Sequence, residues 1–139
     1  MRERLHVSRE AITAAEASKP AGPYSHAIRS GDLLFISGQG PFDDTGALQG
    51  QTFAEQVRTA FDNLALIAKA AGGDVQDMVR LGAYLEDYKN FAEYNDIMQD
   101  YLSAPYPART TIPVPTLGIS IELDAVIALP PLGARADAK

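Results

Sequence analysis

The sequence has no cysteine among its 139 residues, and only two residues, His6 and His26, are histidine. The absence of cysteine excludes a disulfide framework, a thiolate nucleophile and any cysteine-ligated zinc or iron–sulfur site. Neither histidine has a histidine or cysteine at ligand spacing, which argues against a metal site. We therefore expect no metal, and we take the cytoplasm as the simplest compartment.

Basic runs and long apolar runs are also missing. The 12 Lys and Arg residues are scattered and are outnumbered by 18 Asp and Glu residues, which gives a formal net charge of −6. An acidic surface repels phosphate backbones, so nucleic acid is not an expected partner. No apolar run approaches the roughly 20 residues of a membrane span. The charged segment 1–6 lacks the apolar stretch of a signal peptide.

The length and composition fit one globular domain over residues 1–139. Hydrophobic residues make up 46% of the chain, which is enough to form a core without disulfide bonds or a structural metal. We predict a first strand within residues 1–7, a surface loop over 8–23 and a frayed tail over 133–139. Two further strands are predicted at 24–29 and 33–37. The second of these begins with an unbroken apolar run and is therefore expected to be covered on both faces.

Two helices are predicted from apolar residues at helical spacing. The first spans residues 53–71, where Thr52 and Glu55 form a capping box and Gly72-Gly73 ends the helix. The second spans residues 90–102, and the prolines that follow prevent its continuation.

Three more strands are predicted at 78–85, 109–114 and 119–129. In the first of them, Val79 and the alternate residues after it are expected to face the core. The element order predicts an α+β fold with both helices on one face of a mixed sheet. The other face of the last strand, which includes Val126, is then bare, as expected of an oligomerisation surface.

Arg109 and Glu122 are the first candidates for chemistry. Nearby prolines restrict the backbone before Arg109, and a rigidly held guanidinium suits bidentate binding of a carboxylate. The alternative is a surface arginine or one that is ion-paired with an acidic residue, because either would have the same local sequence. Glu122 lies between Ile121 and Leu123, and an apolar setting suits a carboxylate to general acid–base work. A solvent-facing or interface glutamate is the alternative, and Asp124 on the same face competes for the role.

Other motifs are weaker. Tyr24 opens a strand at a loop exit, where its hydroxyl reaches a site or simply caps the core. There is no phosphate-binding G-x-x-x-x-G-K or G-x-G-x-x-G motif and no G-x-S-x-G nucleophile elbow.

Six segments, in this order, together resemble one known family. They are Gly22-Pro23-Tyr24-Ser25, Ile36-Ser37-Gly38-Gln39-Gly40-Pro41, Gly72-Gly73-Asp74, Phe91-Ala92-Glu93-Tyr94-Asn95, Pro107-Ala108-Arg109-Thr110-Thr111 and Ile121-Glu122-Leu123-Asp124-Ala125. The pattern is similar to the RidA (YjgF) family of enamine/imine deaminases, over roughly residues 20–130. A long Ala-rich loop before Gly22 and a proline-rich connection over 113–118 point to a divergent branch.

The resemblance implies a chorismate-mutase-like fold assembled as a homotrimer with a central barrel and clefts between subunits. It implies that Arg109 grips the substrate carboxylate, that Glu122 positions or activates water, and that Tyr24 lines the site. Ser37 and Gly38 match a wall of the site.

In the same resemblance, Asn95 matches an asparagine of the second helix and Thr111 stands where many members carry cysteine. The implied reaction is hydrolysis of 2-imino or 2-aminoacrylate acids to 2-keto acids and ammonia, without a cofactor. The alternatives are a trimer that binds small acids without turnover, a pathway-specific deaminase of a larger enamine or imine acid, and a ribonuclease or translation inhibitor. The acidic charge disfavours the last of these.

Overall fold

Six strands pair into one mixed sheet in the computed structural model, which describes residues 7–131. In chain order the elements are β1 (Glu10–Ile12), β2 (Ala27–Ser30), β3 (Leu33–Gln39), α1 (Phe53–Ala70), β4 (Met78–Leu85), α2 (Phe91–Met98), β5 (Ala108–Pro113) and β6 (Ile121–Ala128). The order across the sheet is β1-β2-β3-β6-β4-β5. The β4/β5 pair is parallel and the other pairs are antiparallel. The predicted α+β class with two helices is confirmed.

The core lies between the helices and one face of this sheet. Along β6 the side chains of Ile121, Leu123, Ala125 and Ile127 are buried, and the residues between them are half-buried. Helix α1 packs on β3 and β6, and α2 packs on α1. Each large apolar side chain buried in this way stabilises the fold by about 1.5–3 kcal/mol. The opposite face of the sheet has no covering layer within residues 7–131.

Helix α1 begins and ends where its local sequence predicts. The Thr52 hydroxyl oxygen accepts a hydrogen bond from the Glu55 backbone N–H at 3.2 Å, which satisfies one of the free donors of the first turn. Just after the helix, Gly72 adopts a φ of 80°, a conformation that glycine reaches without steric cost.

The predicted first strand and the loop after it are wrong in part. Residues 1–6 lie outside the described residues, Val7 is not in a strand, and β1 forms inside the predicted loop 8–23. Strand β1 is held by pairing with β2 and by an ion pair between Glu10 and Arg29. These contacts are distant in sequence, so no local pattern announces them. The predicted tail 133–139 also lies outside the described residues.

The strand expected to be covered on both faces is covered on one. In β3, Leu34 is fully buried, whereas Leu33 and Phe35 are 40% and 47% exposed. A continuous apolar run indicates that both faces are apolar. It does not indicate what covers the second face, and nothing in residues 7–131 does.

In β4, Leu81, Ala83 and Leu85 are buried as predicted, but Val79 is exposed and Met78 is buried in its place. The register with β6 shifts between Met78 and Arg80, because a bulge there exchanges the two faces. Helix α2 is also shorter than predicted and ends at Met98. The following residues form turns that the side chain of Gln76 holds by bonding the Tyr101 carbonyl and the Ser103 N–H.

Candidate functional site

Arg109 lies on the helix-covered side of the sheet, at the edge strand β5. Its register partner is the buried Leu81, and residues paired across neighbouring strands project from the same face. The guanidinium carbon lies 5.4 Å from the ring centre of Phe91 and 5.3 Å from that of Tyr94. Nη1 donates to the sulfur of Met98 at 3.2 Å. No carboxylate within residues 7–131 forms an ion pair with Arg109, so its charge is uncompensated.

Polar atoms without partners cluster on the same side. Tyr94 Oη, Asn95 Oδ1 and Thr111 Oγ1 are buried and have no hydrogen-bond partner in the described part of the chain. Buried polar atoms in proteins nearly always have a partner, so an unpartnered group of this kind marks a place where a ligand or another chain belongs. A recess of about 520 Å³ opens here and is lined by Asn95, Met98, Gln99, Tyr106, Pro107 and Arg109. The structure therefore brings together Arg109 and Asn95, both predicted as site residues, with Thr111 on the same side of β5.

Glu122 lies on the other, uncovered face. Its register partner is Tyr84, three residues from Leu81, and successive strand residues alternate between faces. The Glu122 carboxylate lies over Gly38, where an added Cβ would stand 2.8 Å from Oε1. The close approach of this carboxylate to the backbone therefore depends on glycine.

A second recess of about 410 Å³ surrounds this carboxylate. It is lined by Tyr24, Ser37, Gly38, Tyr84, Glu122 and Asp124. Four of the predicted site residues are thus brought together here, although they come from a loop and two strands. A smaller recess of about 240 Å³ adjoins it, and its lining includes Lys19 and His26 as well as Glu122.

Hydrogen bonds to the backbone hold the wall of this second recess. The Tyr24 hydroxyl oxygen accepts from the Ala21 N–H at 2.9 Å, and the Ser37 hydroxyl donates to the Ser25 carbonyl at 2.6 Å. Behind them the buried His26 accepts from the Ala14 N–H at Nδ1 and contacts the Ser18 carbonyl through Nε2 at 2.6 Å. This pattern requires the neutral tautomer with hydrogen on Nε2.

Tyr84 was not among the predicted site residues. Its hydroxyl donates to Asp124 Oδ2 at 2.9 Å, and this bond, together with burial, raises the pKa of Tyr84 above its ordinary value. The Asp124 carboxylate lies over Gly82, in the space that a side chain would occupy. The alternation of β4, which places Gly82 and Tyr84 on one face, was the available signal.

The two recesses do not meet within one chain. Strand β4 separates β5 from β6, and the register puts Arg109 three residues along from Glu122. Their Cα atoms are separated by two inter-strand distances across the sheet and by the length of three residues along it. This places them on the order of 14 Å apart. Because the side chains also project from opposite faces, Arg109 cannot act on a molecule held at Glu122 of the same chain.

The family model described as Endoribonuclease L-PSP matches residues 14–129, which include both recesses. The chain belongs to this family, the RidA (YjgF) family. The predicted resemblance is therefore confirmed, and the matched residues exclude only the ends of the chain.

Named relatives and a solved structure agree with this family. The chain is 42% identical to the RutC family protein y4sK of Sinorhizobium fredii, over 86% of this chain and 98% of that one. It is 27% identical to a 2-iminobutanoate/2-iminopropanoate deaminase of Dermatophagoides farinae, over 85% and 94% of the two chains. It is 32% identical to the chloroplastic Reactive Intermediate Deaminase A of Arabidopsis thaliana, over 88% and 67%. The crystal structure of RidA from Psychrobacter superposes with a TM-score of 0.82 at 34% identity, covering 87% of this chain and all of that one.

The described residues also bear on two other features, a metal site and a membrane-spanning helix. Within residues 7–131, no group of three or more His, Asp or Glu side chains is placed to bind a metal ion. Neither α1 nor α2 is long and apolar enough to cross a membrane.

Proposed function

We propose that this chain is a hydrolytic deaminase that converts reactive 2-imino acids, including the imine form of 2-aminoacrylate, to 2-keto acids and ammonia. Two features carry the proposal together. Arg109 has no acidic partner among the residues that the structure describes, and a separate recess surrounds the carboxylate of Glu122. Arg109 suits the carboxylate of a substrate, and the recess at Glu122 suits the water that attacks the imine carbon. The name of the relative from Dermatophagoides farinae, a 2-iminobutanoate/2-iminopropanoate deaminase, supports this substrate class.

The proposed site is completed by a second copy of the chain in a homotrimer. Arg109 of one subunit would face Glu122 of its neighbour, since neither recess contains both groups. The uncovered sheet face, with Leu33, Phe35 and Val126, supplies apolar surface for such an assembly.

The reaction needs only these side chains. Arg109 binds the carboxylate, with Asn95 and Thr111 beside it. The imine reacts in its protonated form, and Glu122 accepts a proton from water as the oxygen adds to the imine carbon to give a carbinolamine. Glu122 returns this proton to the nitrogen, and it then accepts the proton of the carbinolamine hydroxyl as the C–N bond breaks, ammonia leaves and the carbonyl forms. Tyr24 borders the water.

Ser37 and Gly38 form the wall against which the carboxylate of Glu122 rests. General acid–base catalysis that raises the rate about 10²–10⁴-fold is sufficient, because imines already hydrolyse in water. We propose the cytoplasm as the site of this activity.

Complementation between inactive variants tests both the chemistry and the shared site. Arg109→Ala and Glu122→Ala are each expected to form trimers by light scattering and to lose turnover of freshly generated 2-iminobutanoate. When the two variants are unfolded together in equal amounts and refolded, random assembly restores about a quarter of the sites, because each restored site takes Arg109 from one chain and Glu122 from the next.

The refolded wild type and each refolded variant alone are the controls. No recovery in the mixture would place the whole site in one chain and contradict the proposed geometry. Full turnover by Arg109→Ala would contradict the role of the arginine.

The same assay separates the alternatives. Binding of 2-ketobutanoate by calorimetry, with no ammonia released from any imine, would identify a small-acid-binding protein instead of an enzyme. Turnover confined to bulky imines would identify a pathway-specific deaminase. RNA cleavage that survives repurification and disappears in Glu122→Ala would support the ribonuclease description of the family model.

A further inference from the structure

Two aromatic rings stand where an arginine usually has an acidic partner. The centres of the Phe91 and Tyr94 rings lie 5.4 Å and 5.3 Å from the guanidinium carbon of Arg109, both within the range of a cation–π contact. Both rings come from the first turn of α2. We call Phe91 and Tyr94 the aromatic cradle.

Each ring of the cradle is itself fixed by stacking. Tyr94 is fully buried and stacks on Phe61 of α1 with ring centres 6.3 Å apart. Phe91 stacks on Tyr88 with ring centres 5.0 Å apart. Because the cradle is anchored to α1 on one side and to the turn before α2 on the other, its position does not depend on the flexible arginine side chain.

A ring and a carboxylate hold a guanidinium in different ways. A carboxylate neutralises the charge and occupies the N–H donors, whereas a ring face attracts the charge and accepts none of the in-plane donors. An arginine held by rings therefore keeps N–H donors available for a bidentate carboxylate ligand, and in Arg109 one donor of Nη1 is on the sulfur of Met98. The pre-set orientation also reduces the side-chain entropy lost when that ligand binds.

We propose that Phe91 and Tyr94 are positioning residues that hold the guanidinium of Arg109 in its carboxylate-binding orientation and thereby set the affinity for 2-imino acids. This inference rests on the proposed function of Arg109. Among the groups assigned to the reaction, the rings of the cradle contact the guanidinium of Arg109, which binds the carboxylate. The cradle therefore acts on binding and leaves the hydrolytic step unchanged.

Removing a ring tests the proposal. Tyr94→Leu and Phe91→Leu are each expected to raise KM for 2-iminobutanoate about five- to thirty-fold, with kcat within about twofold of wild type, as follows from the usual strength of a cation–π contact. The Kd for 2-ketobutanoate, measured by calorimetry, should rise by the same factor. Tyr94→Phe keeps the ring, so its KM should lie well below that of Tyr94→Leu.

The matched control is Tyr101→Leu. Tyr101 stacks on Phe61 with ring centres 4.7 Å apart and belongs to the same aromatic group, but it makes no ring contact with Arg109. Its loss should lower the melting temperature and leave both KM and Kd unchanged.

Three results would overturn the proposal. They are an equal rise in KM for Tyr101→Leu, a loss in kcat with KM unchanged, or a KM for Tyr94→Phe as high as that of Tyr94→Leu. If Tyr94→Leu does not fold, the partly exposed Phe91→Leu decides the question. If wild type binds 2-ketobutanoate through Arg109 but hydrolyses no imine, the proposed function fails, and the Kd values still test the cradle.

Discussion

Replacing Gly38 with alanine should separate catalysis from folding. The backbone of Gly38 has no positive φ, so alanine fits the local conformation of β3. The new Cβ would stand 2.8 Å from Glu122 Oε1 and 3.0 Å from its Cδ, whereas ordinary contacts begin at 3.4 Å. The carboxylate therefore has to move by about 0.6 Å, although Glu122 itself is unchanged.

The expected effects on stability and on turnover have different sizes. The displaced atoms are the far end of a flexible side chain, so the steric cost is small. A compatible Gly→Ala change also stabilises a fold by about 0.4–1 kcal/mol through the unfolded chain. Misplacing a catalytic group on the scale of 1 Å can lower the rate about 10²-fold, so we expect kcat to fall about ten- to a hundred-fold.

The assay is steady-state deamination of 2-iminobutanoate, with urea unfolding and light scattering on the same samples. Gly22→Ala is the matched control, because its Cβ would meet Tyr24 at 3.6 Å, an ordinary contact, and its φ is not positive. Gly38→Ala with wild-type kcat and an intact trimer would refute the assigned role of the Glu122 carboxylate. A parallel loss of stability or assembly would show that the damage is steric and not catalytic.

Three further predictions concern polar contacts around the two recesses. The raised pKa of Tyr84 means that its bond to Asp124 contributes its full stability below pH ~10 and loses it as the pH rises through the folded-state pKa. The stability difference between wild type and Tyr84→Phe in urea should therefore shrink above that pH, and a constant difference would contradict the bond. Gln76→Ala removes the bonds that hold the turns after α2 and should lower the free energy of unfolding by about 1 kcal/mol, whereas an unchanged value would show that these bonds are dispensable. In the neutral form, His26 should carry hydrogen on Nε2 in nitrogen-15 NMR spectra, and hydrogen on Nδ1 would exclude the Ala14 contact.

Features encoded by neighbouring residues were predictable from the sequence. The start of α1 depends on Thr52 and Glu55, and its end depends on Gly72. Both predicted ends of the helix therefore lie within one residue of the observed ends. The alternation along β6 was likewise local and correct. Strand β1 was missed because its pairing with β2 joins residues 15 to 19 positions apart, from Ile12 with Ala27 to Glu10 with Arg29.

The members of the two recesses were predictable, but their separation was not. Motif order placed Tyr24, Gly38 and Glu122 among the site residues, and the structure gathers them into one recess. Which face each side chain occupies depends on strand order and register, and these come from pairing over the whole sheet. The sequence therefore gave no sign that Arg109 and Glu122 project from opposite faces.

The features that look unfavourable in an isolated chain have one common explanation. Among residues 7–131, Arg109 has no acidic partner, three nearby polar atoms are buried without hydrogen bonds, and Leu33 and Phe35 expose apolar surface. Each carries a cost in free energy that a stable fold would otherwise avoid. The proposed trimer would remove the exposure and bring a neighbour's Glu122 recess to the arginine, and a substrate carboxylate would then compensate the charge. Folding of one chain would thus leave unfinished the surfaces that assembly and substrate binding complete.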